Sequence, residues 1–486
     1  MNKEQEMKSF QHYRLTEEIL EALDVLGYHT PTPIQQQAIP VILEGKDLVG
    51  KSQTGSGKTA AFAIPICEKI IWEEHLPQAI ILEPTRELAV QVQEDIYHIG
   101  RKKRIKAPVV FGGMPIDKQR ISLRQKAHIV VATPGRLLDH MRRDNIDLQK
   151  VRYLVIDEAD LMLDMGFLED VKQVIESMKQ PLTILLFSAT IGEHLDGLIE
   201  QYMKEPVYVT VESEFETADG LTQIAYDVEQ EEKYDLFLEL LMTENPENAM
   251  IFCETREMVN TLYQKLRRKK IRCGMLHGGM EQRDRLYAIA DFRKGKFHYL
   301  VTTDVAARGI DFSDITHVFN YDFPTKKENY VHRGGRTARN GKKGKVISLL
   351  APTEKHYQKA VEAYIGTTIE MKEFIRNSDD EESKRQFMKR QKEKVILQEG
   401  KGAGFKDSIM QLTIGGGKKS KIRSGDVVAT ICAIEGMSQE DIGIIDVRES
   451  VVYVEIFNGK GELVLKKLPE MTLKGKHRKV RKTEKR

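Results

Sequence analysis

Cysteine is scarce in this 486-residue chain: Cys67, Cys253, Cys273 and Cys432 are scattered, with no Cys-x-x-Cys pair and none beside a histidine at metal-ligand spacing. That excludes a disulfide framework and a structural zinc site, and a reducing compartment is expected. Long apolar runs are missing too. No stretch approaches the ~18 residues that span a bilayer, and the opening MNKEQEMKSF lacks the apolar stretch of a signal peptide. These absences lead us to expect a cytoplasmic protein with no membrane partner. Nor is there an excess of one charge, since 75 Lys plus Arg face 73 Asp plus Glu, a net +2. The distribution says more: from Lys401 onward 18 basic residues face 11 acidic ones, whereas residues 1–400 carry 57 against 62. A basic tail on a near-neutral body is the pattern of a polyanion-binding segment.

What is present is a globular composition, 41 % hydrophobic and 30 % charged, long enough for about three domains. Between Asp47 and Ser188 the short runs DLVG, AIIL, HIVVA, YLVI and TILLF alternate with helical-looking segments. Unbroken Val/Ile/Leu runs of this length read as strands buried on both faces of a parallel sheet. A second series, AMIF, YLVTT, THVFN and KVISLL, starts at Ala249. We expect an α/β fold: two tandem domains, 1–210 and 221–366, joined by an acidic linker at 211–220. A charged, solvated helical linker at 367–404 then leads to a small α+β domain at 405–486. In that last domain IMQLTI, VVYVEIF and ELVLKKL read as strands, with helices at Ser424–Ile434 and Ser438–Ile442.

Parallel sheets bind ligands beyond the carboxyl ends of their strands, and the polar clusters of this chain follow its apolar runs. After DLVG comes Gln53-Thr54-Gly55-Ser56-Gly57-Lys58-Thr59, a phosphate-binding loop. Its glycines let backbone N–H groups point at phosphate oxygens, Lys58 can reach the β/γ-phosphates and Thr59 can ligate Mg²⁺. Ser52 stands where the strict pattern has its first glycine. After YLVI comes Asp157-Glu158-Ala159-Asp160, in which Asp157 suits a metal carboxylate and Glu158 a base orienting water. An acidic tetrapeptide by itself is a solvated turn; the phosphate loop gives it meaning.

At this point residues 10–350 resemble the DEAD-box RNA helicases, and the resemblance implies two RecA-like domains. Gly27 to Gln35 (GYHTPTPIQ) is similar to the adenine-reading motif of the family, with Phe10 as its upstream aromatic; a glutamine amide can pair with both N6 and N7 of adenine. The resemblance places Pro84, Thr85 and Arg86, then Gly112 and Gly113, then Thr133, Gly135 and Arg136, along an RNA backbone track, where cationic forks, hydroxyls and glycine amides suit phosphate. Ser188-Ala189-Thr190 resembles the motif that couples hydrolysis to RNA opening, with its hydroxyls toward Asp160. In the second domain His332-Arg333-Gly334-Gly335-Arg336-Thr337-Ala338-Arg339 resembles the arginine-finger motif. Arg336 and Arg339 are its implied fingers, and a guanidinium there stabilises the transferring phosphoryl group. His332 joins the coupling residues, and Ala338 stands where the family carries glycine. Thr303 and Asp304 are implied to face RNA, Gly309 and Asp311 to face ATP, and Arg256, Gly279, Gln282 and Arg285 to add RNA contacts. No second phosphate loop occurs in 220–366, so one ATP per chain is expected.

The segment 405–486 looks like the RNA-binding domain of the DbpA-type branch of this family, which implies a structured 23S ribosomal RNA target near the peptidyl-transferase region and pre-50S particles as partners. The match is carried by IMQLTIGGGKKSKIR, EDIGIIDV, VVYVEIFNGKG and LKGKHRKVRK. Common RNA-recognition domains stack bases on aromatics of two central strands, but here Gln411 and Val451 occupy two such positions and only Tyr453 remains. We therefore expect a structured RNA held by Lys418, Lys419, Lys421 and Arg423, with Tyr453 as an added contact. The expectation is a monomeric, ATP- and Mg²⁺-dependent RNA helicase. A general cold-shock or mRNA-turnover helicase, or an ATP-dependent RNA clamp or annealer, stays open as an alternative.

Overall fold

The computed structural model describes residues 9–52, 55–211, 220–307, 310, 312, 315–338, 342–373, 381–393, 397 and 402–483. The chain divides into two compact units, one made of 1–51, 57–210 and 401–486, the other of 52–56 and 211–400. In the first unit seven strands form a sheet: β1 (Leu48–Lys51), β2 (Ala79–Leu82), β3 (Val109–Val110), β4 (Ile129–Ala132), β5 (Tyr153–Ile156), β6 (Thr183–Ser188) and β7 (Val207–Thr210). Their order is β3-β4-β2-β5-β6-β1-β7, and every pair is parallel. All four residues of β2, β4 and β5 are buried, as strands covered by helices on both faces require. The five expected apolar runs form β1, β2, β4, β5 and β6. The two edge strands carry no such run, because β3 has two residues and β7 is half exposed.

The second unit repeats the plan with β8 (Leu221–Asp227), β9 (Ala249–Phe252), β10 (Cys273–Leu276), β11 (Tyr299–Thr302), β12 (His317–Asn320), β13 (Gly344–Leu350) and β14 (Glu370–Lys372). Its order is β10-β11-β9-β12-β13-β8-β14, again parallel throughout. The expected solvated linker differs from what is observed. Helix Glu381–Lys392 packs on this unit through Phe387, fully buried and stacked 6.0 Å from Tyr299. One turn on, Gln391 accepts the N–H of Arg272 at 3.0 Å. Two inward residues at i, i+4 seat the helix, and its many charges conceal that narrow stripe in the sequence.

Residues 402–483 carry a four-stranded antiparallel sheet of β15 (Met410–Gly415), β16 (Ile442–Val447), β17 (Val451–Ile456) and β20 (Val480–Lys482), ordered β16-β17-β15-β20. A separate hairpin pairs β18 (Thr472–Leu473) with β19 (Lys476–His477). Two expectations are corrected. ELVLKKL is the helix Gly461–Lys467, because its buried residues Val464 and Leu468 recur at four and not at two. The expected helix at 438–442 is a 3₁₀ turn, Gln439–Asp441, leading into β16. As expected, Val452, Val454 and Ile456 face the core.

Two stability predictions arise in the second unit. The Glu244 carboxylate accepts from His317 Nε2 at 3.3 Å and Lys345 Nζ at 2.6 Å, and those partners lower its pKa from 4.5 to about 2 against the effect of burial. A depressed carboxyl stabilises the fold above its unfolded value, and the contribution fades as pH falls toward the folded one. Discounted for partial exposure, Glu244→Gln should cost about 1–2 kcal/mol at pH 7; denaturant titrations should show the deficit vanishing between pH 4.5 and 2. Ala338 holds φ at 55°, a left-handed conformation that costs a non-glycine residue about 1–2 kcal/mol. Less the extra chain entropy of glycine, Ala338→Gly should raise stability by about 0.5–1 kcal/mol in thermal or denaturant unfolding.

Candidate functional site

The loop after β1 turns at Gly55 (φ 89°) and Gly57 (φ 95°), and Gly57 caps the helix Lys58–Lys69. Position 57 favours glycine because its φ of 95° strains any other residue, and a Cβ there would also crowd the Gln35 amide. Gln35, buried near the start of helix Pro33–Leu43, accepts the N–H of Thr32 at 2.9 Å and donates to the carbonyl of Gly57 at 3.2 Å. The amide expected to read adenine thus also clamps the glycine loop. Ser56 donates to Ser52, the residue replacing the first glycine, at 3.0 Å. Phe10 is buried, edge-on to Tyr13. Thr59 is the second residue of the Lys58 helix. Thr54, Gly309, Asp311 and Arg339 lie outside the described residues.

Lys58 reaches across to the end of β5, where its Nζ lies 2.8 Å from Glu158 Oε1 with the side chains only 4 % and 8 % exposed. Burial works against the Lys58 charge, but Glu158 and Asp157 outweigh it and its pKa rises. Asp157 accepts the N–H of Glu158 at 2.9 Å. Burial raises its pKa well above the carboxylate range, with Lys58 opposing and Glu158 adding. Glu158 holds φ at 50°, a left-handed conformation of the kind that collects at functional positions.

A third carboxylate, absent from the sequence reading, joins them. The β2–β5 register pairs Leu82 with Ile156 and so sets Glu83 beside Asp157. Glu83 is fully buried and neither of its oxygens has a hydrogen-bond partner. Burial first, then Asp157 and Glu158, raises its pKa well above normal. The signal was available, since Glu83 directly follows a strand run as Asp157 does. Glu83 and Asp157 resist ionising while buried beside each other, and a divalent cation arriving there would favour their charged forms. Among the described residues no three His, Cys, Asp or Glu side chains form a ready metal cage, so such a cation would complete its shell with nucleotide and water oxygens, the habit of Mg²⁺.

After β5 and β6, Asp160 Oδ2 accepts both the N–H and the hydroxyl of Thr190 at 2.9 Å, while Ser188 Oγ accepts the N–H of Asp160 at 3.3 Å. Expected coupling residues of the first unit therefore meet. The residues expected along RNA follow the other half of the sheet, β3, β4 and β2. Pro84 and Thr85 lead into helix Arg86–Ile99, where Thr85 caps by accepting the N–H of Leu88 at 3.3 Å. Arg86 lies against Gly112 and Gly113 so closely that a Cβ on Gly113 would collide with its guanidinium. Arg136 donates to the carbonyl of Met114 at 2.9 Å and to Gln119 at 3.2 Å. Thr133 is the N-cap of helix Pro134–Arg142, and Gly135 lies beside Asp170. Gln119 also bonds His140 and the carbonyl of Phe111, a hub that the sequence reading missed.

In the second unit the equivalent strands β10, β11 and β9 carry His277–Gln282, Thr303–Asp304 and Arg256. Gly279 donates to His277 Nδ1 at 3.1 Å and sits beside the Arg256 stem. Gln282 and Arg285 share helix Gln282–Arg293, and Thr303 immediately precedes helix Asp304–Ala307. Asp304, expected toward RNA, takes a fork from Arg333 at 2.5 and 2.7 Å and a bond from Asn329 at 3.1 Å. Arg333 was not singled out; its buried guanidinium also bonds Asn320 and the carbonyl of Asp322. Arg336 is buried and donates to the carbonyl of Ile310 at 2.6 Å, and His332 lies in helix Lys327–Gly334. In the C-terminal domain Lys418, Lys419, Lys421 and Arg423 are exposed on the turn after β15, and Arg448 covers the Tyr453 ring at 4.8 Å.

Comparison with known proteins agrees across the chain. Residues 32–198 match the DEAD/DEAH box helicase family, 232–341 the helicase conserved C-terminal domain and 411–482 the DbpA RNA binding domain. The chain is 48 % identical over 479 residues to the ATP-dependent RNA helicase DbpA of Bacillus subtilis, covering 99 % of this chain and all of that one. It is 42 % identical over 354 residues to the DEAD-box ATP-dependent RNA helicase CshA of the same organism, covering 73 % of this chain and 72 % of the other. Among solved structures, Saccharomyces cerevisiae Dbp5 bound to RNA and ADP BeF3 superposes with a TM-score of 0.69 at 32 % identity, over 79 % of this chain and all of that one. No helix among the described residues is long and apolar enough to cross a membrane. From the two parallel sheets, the lysine–carboxylate cluster and these likenesses together, the chain belongs to the DEAD-box ATP-dependent RNA helicases, in the DbpA-type branch with a C-terminal RNA-binding domain, and its activity is RNA-stimulated ATP hydrolysis.

Proposed function

We propose that this helicase remodels 23S ribosomal RNA in pre-50S particles, working in the cytoplasm as a monomer and held at its target by the C-terminal domain. The observation that carries the proposal is the exposed basic turn Lys418, Lys419, Lys421 and Arg423 on a domain that matches the DbpA RNA binding domain. A turn of this kind grips the phosphates of a folded RNA without needing a stacking platform.

In the ATPase step the glycine loop and Lys58 bind the phosphates, with Gln35 and Phe10 on the base. Without nucleotide, Lys58 and Glu158 satisfy each other at 2.8 Å. Phosphate oxygens that draw Lys58 away release the Glu158 carboxylate to orient water and accept its proton. Asp157 and Thr59 are the residues to hold Mg²⁺, which would neutralise charge on the transferring group. Arg336 and Arg339 serve as the cationic fingers. Ser188, Thr190 and Asp160 pass the change to the loops carrying Arg86 and Arg136, which hold one RNA strand. ATP and RNA then favour each other's binding by reciprocal coupling.

Two variants test the ATPase step. Lys58→Ala should weaken ATP binding by about 10–100-fold, the worth of a charged hydrogen bond, as measured with a fluorescent ATP analogue. Glu158→Gln should lower kcat by about 10²–10⁴-fold while sparing ATP binding; undiminished turnover would refute its role as base. For the target, RNA-stimulated ATPase at fixed salt should half-saturate at about tenfold lower concentration of a peptidyl-transferase-region fragment than of a scrambled RNA of equal length. The triple variant Lys418→Ala, Lys419→Ala, Lys421→Ala should lose that advantage. Equal half-saturation by both RNAs in the unaltered chain would sink ribosomal targeting.

A further inference from the structure

One face of the C-terminal sheet is covered in part. The register sets Gln411 opposite Glu455 and Thr413 opposite Tyr453, so these four residues share the face turned away from the core of their own domain. Glu455 is a carboxylate in the middle of the sheet, 1 % exposed. Its partners come from the first helicase domain. Arg101 reaches Oε1 through Nη2 at 2.8 Å and Oε2 through Nε at 3.3 Å, and the Tyr97 hydroxyl donates to Oε1. Burial and the Glu455 charge push the Tyr97 pKa up, which keeps it a donor.

Further contacts surround this fork. His98 stacks on Phe405 at 5.9 Å with the rings 8° apart, and the Arg101 guanidinium lies 5.0 Å from the same ring. Phe405, Ile409 and Phe457 pack with Ala22 of helix Glu17–Val25. Lys106 Nζ donates to the carbonyl of Ile445, and Gln125 Nε2 to that of Val447 at 3.4 Å. Both acceptors belong to β16, an edge strand whose outward carbonyls would otherwise need water.

We propose that this sheet face is a docking surface whose occupant is the first helicase domain of the same chain, pinned by Glu455 in the fork of Arg101. A bidentate, nearly dry guanidinium–carboxylate pair gives such a contact direction as well as strength. The helix Arg86–Ile99 begins at an expected RNA-track residue and carries Tyr97 and His98 near its far end. Fourteen residues of helix measure about 20 Å. Docking therefore fixes the RNA-binding domain at a set distance from the track of domain one, and the two travel as one body during the ATP cycle. The exposed basic turn stays free for RNA. The functional consequence rests on the RNA reading above; the docking itself does not.

The test uses the full chain with Cys432→Ser and two dye sites at exposed positions, Gln149→Cys on the first helicase domain and Glu462→Cys on the C-terminal domain. Energy transfer should be high and unmoved by an ATP analogue with RNA. Arg101→Glu or Glu455→Arg alone should lower it at least about twofold, since each leaves a buried like-charge pair, and the double reversal should recover most of the loss. Unchanged transfer in the single variants, or no recovery in the double, would overturn the proposal. So would transfer seen only between mixed singly labelled chains, which would make a second copy the occupant. A parallel ATPase titration separates the readings. If targeting and docking both hold, the single reversals raise the half-saturating concentration of the ribosomal fragment about tenfold at unchanged kcat. Recovered energy transfer with no such change would uphold docking and count against RNA targeting through the tether.

Discussion

One buried ammonium, on Lys58, faces three buried carboxylates, on Glu83, Asp157 and Glu158, and much of the first domain serves to hold them together. No one stretch of sequence could do so, because Lys58 is 25 residues from Glu83 and 99 from Asp157. The parallel sheet closes those distances by ending β1, β2 and β5 along one edge. Helices cover both faces of that sheet and keep water from the cluster, which is why the carboxyl groups of Glu83 and Asp157 resist ionising. Such a site is poorly balanced by itself. A polyphosphate with its cation would bring charges of both signs into a place where each is worth more than in water.

Strand order also sorts the chemistry. In the first domain the groups expected to meet phosphate and metal or to couple hydrolysis follow β1, β5 and β6, whereas those expected to meet RNA follow β3, β4 and β2. The border falls between β2 and β5, and Glu83-Pro84-Thr85-Arg86 lies on it. Glu83 faces the carboxylates and Arg86 rests on Gly112 and Gly113, four residues spanning both halves of the edge. The second sheet keeps the same order, with β10, β11 and β9 in the places of β3, β4 and β2. There Arg333 ties Asp304, beyond β11, to Asn320 and the Asp322 carbonyl at the end of β12. A side chain in the finger motif thus organises an expected RNA loop from inside the domain.

Much of this was legible in the sequence. Runs buried on both faces announce themselves by composition alone, and motif residues follow those runs because a strand's carboxyl end opens onto the crevice. Short edge strands such as β3 and the half-exposed β7 carry no comparable signal. Helix Glu381–Lys392 hid because two inward side chains seat it among ten others. Gly461–Lys467 was misread because alternation over a few residues also satisfies a four-residue period. Among site residues, Arg333 and Gln119 were out of reach. Their roles arise from partners distant in sequence, and neither residue type is unusual in a polar loop or helix.

The C-terminal domain shows how a missing feature can be read from the wrong side. The shortage of aromatics on its sheet weakens base stacking as a mechanism, and the structure adds that a carboxylate on the same face, Glu455, is taken up by Arg101. Aromatic and aliphatic side chains on an open sheet would leave an apolar patch when RNA is absent. A carboxylate in the middle of VVYVEIF is the opposite device. Unpaired, Glu455 could not remain buried, so the face tolerates only a partner that brings a matching cation at the right place. Arg101 does so from the turn just beyond the helix that supplies Tyr97 and His98. Specificity for one seat thus comes from the cost of every other one, and this is how a charged residue in a strand can direct assembly where a larger apolar surface would merely adhere.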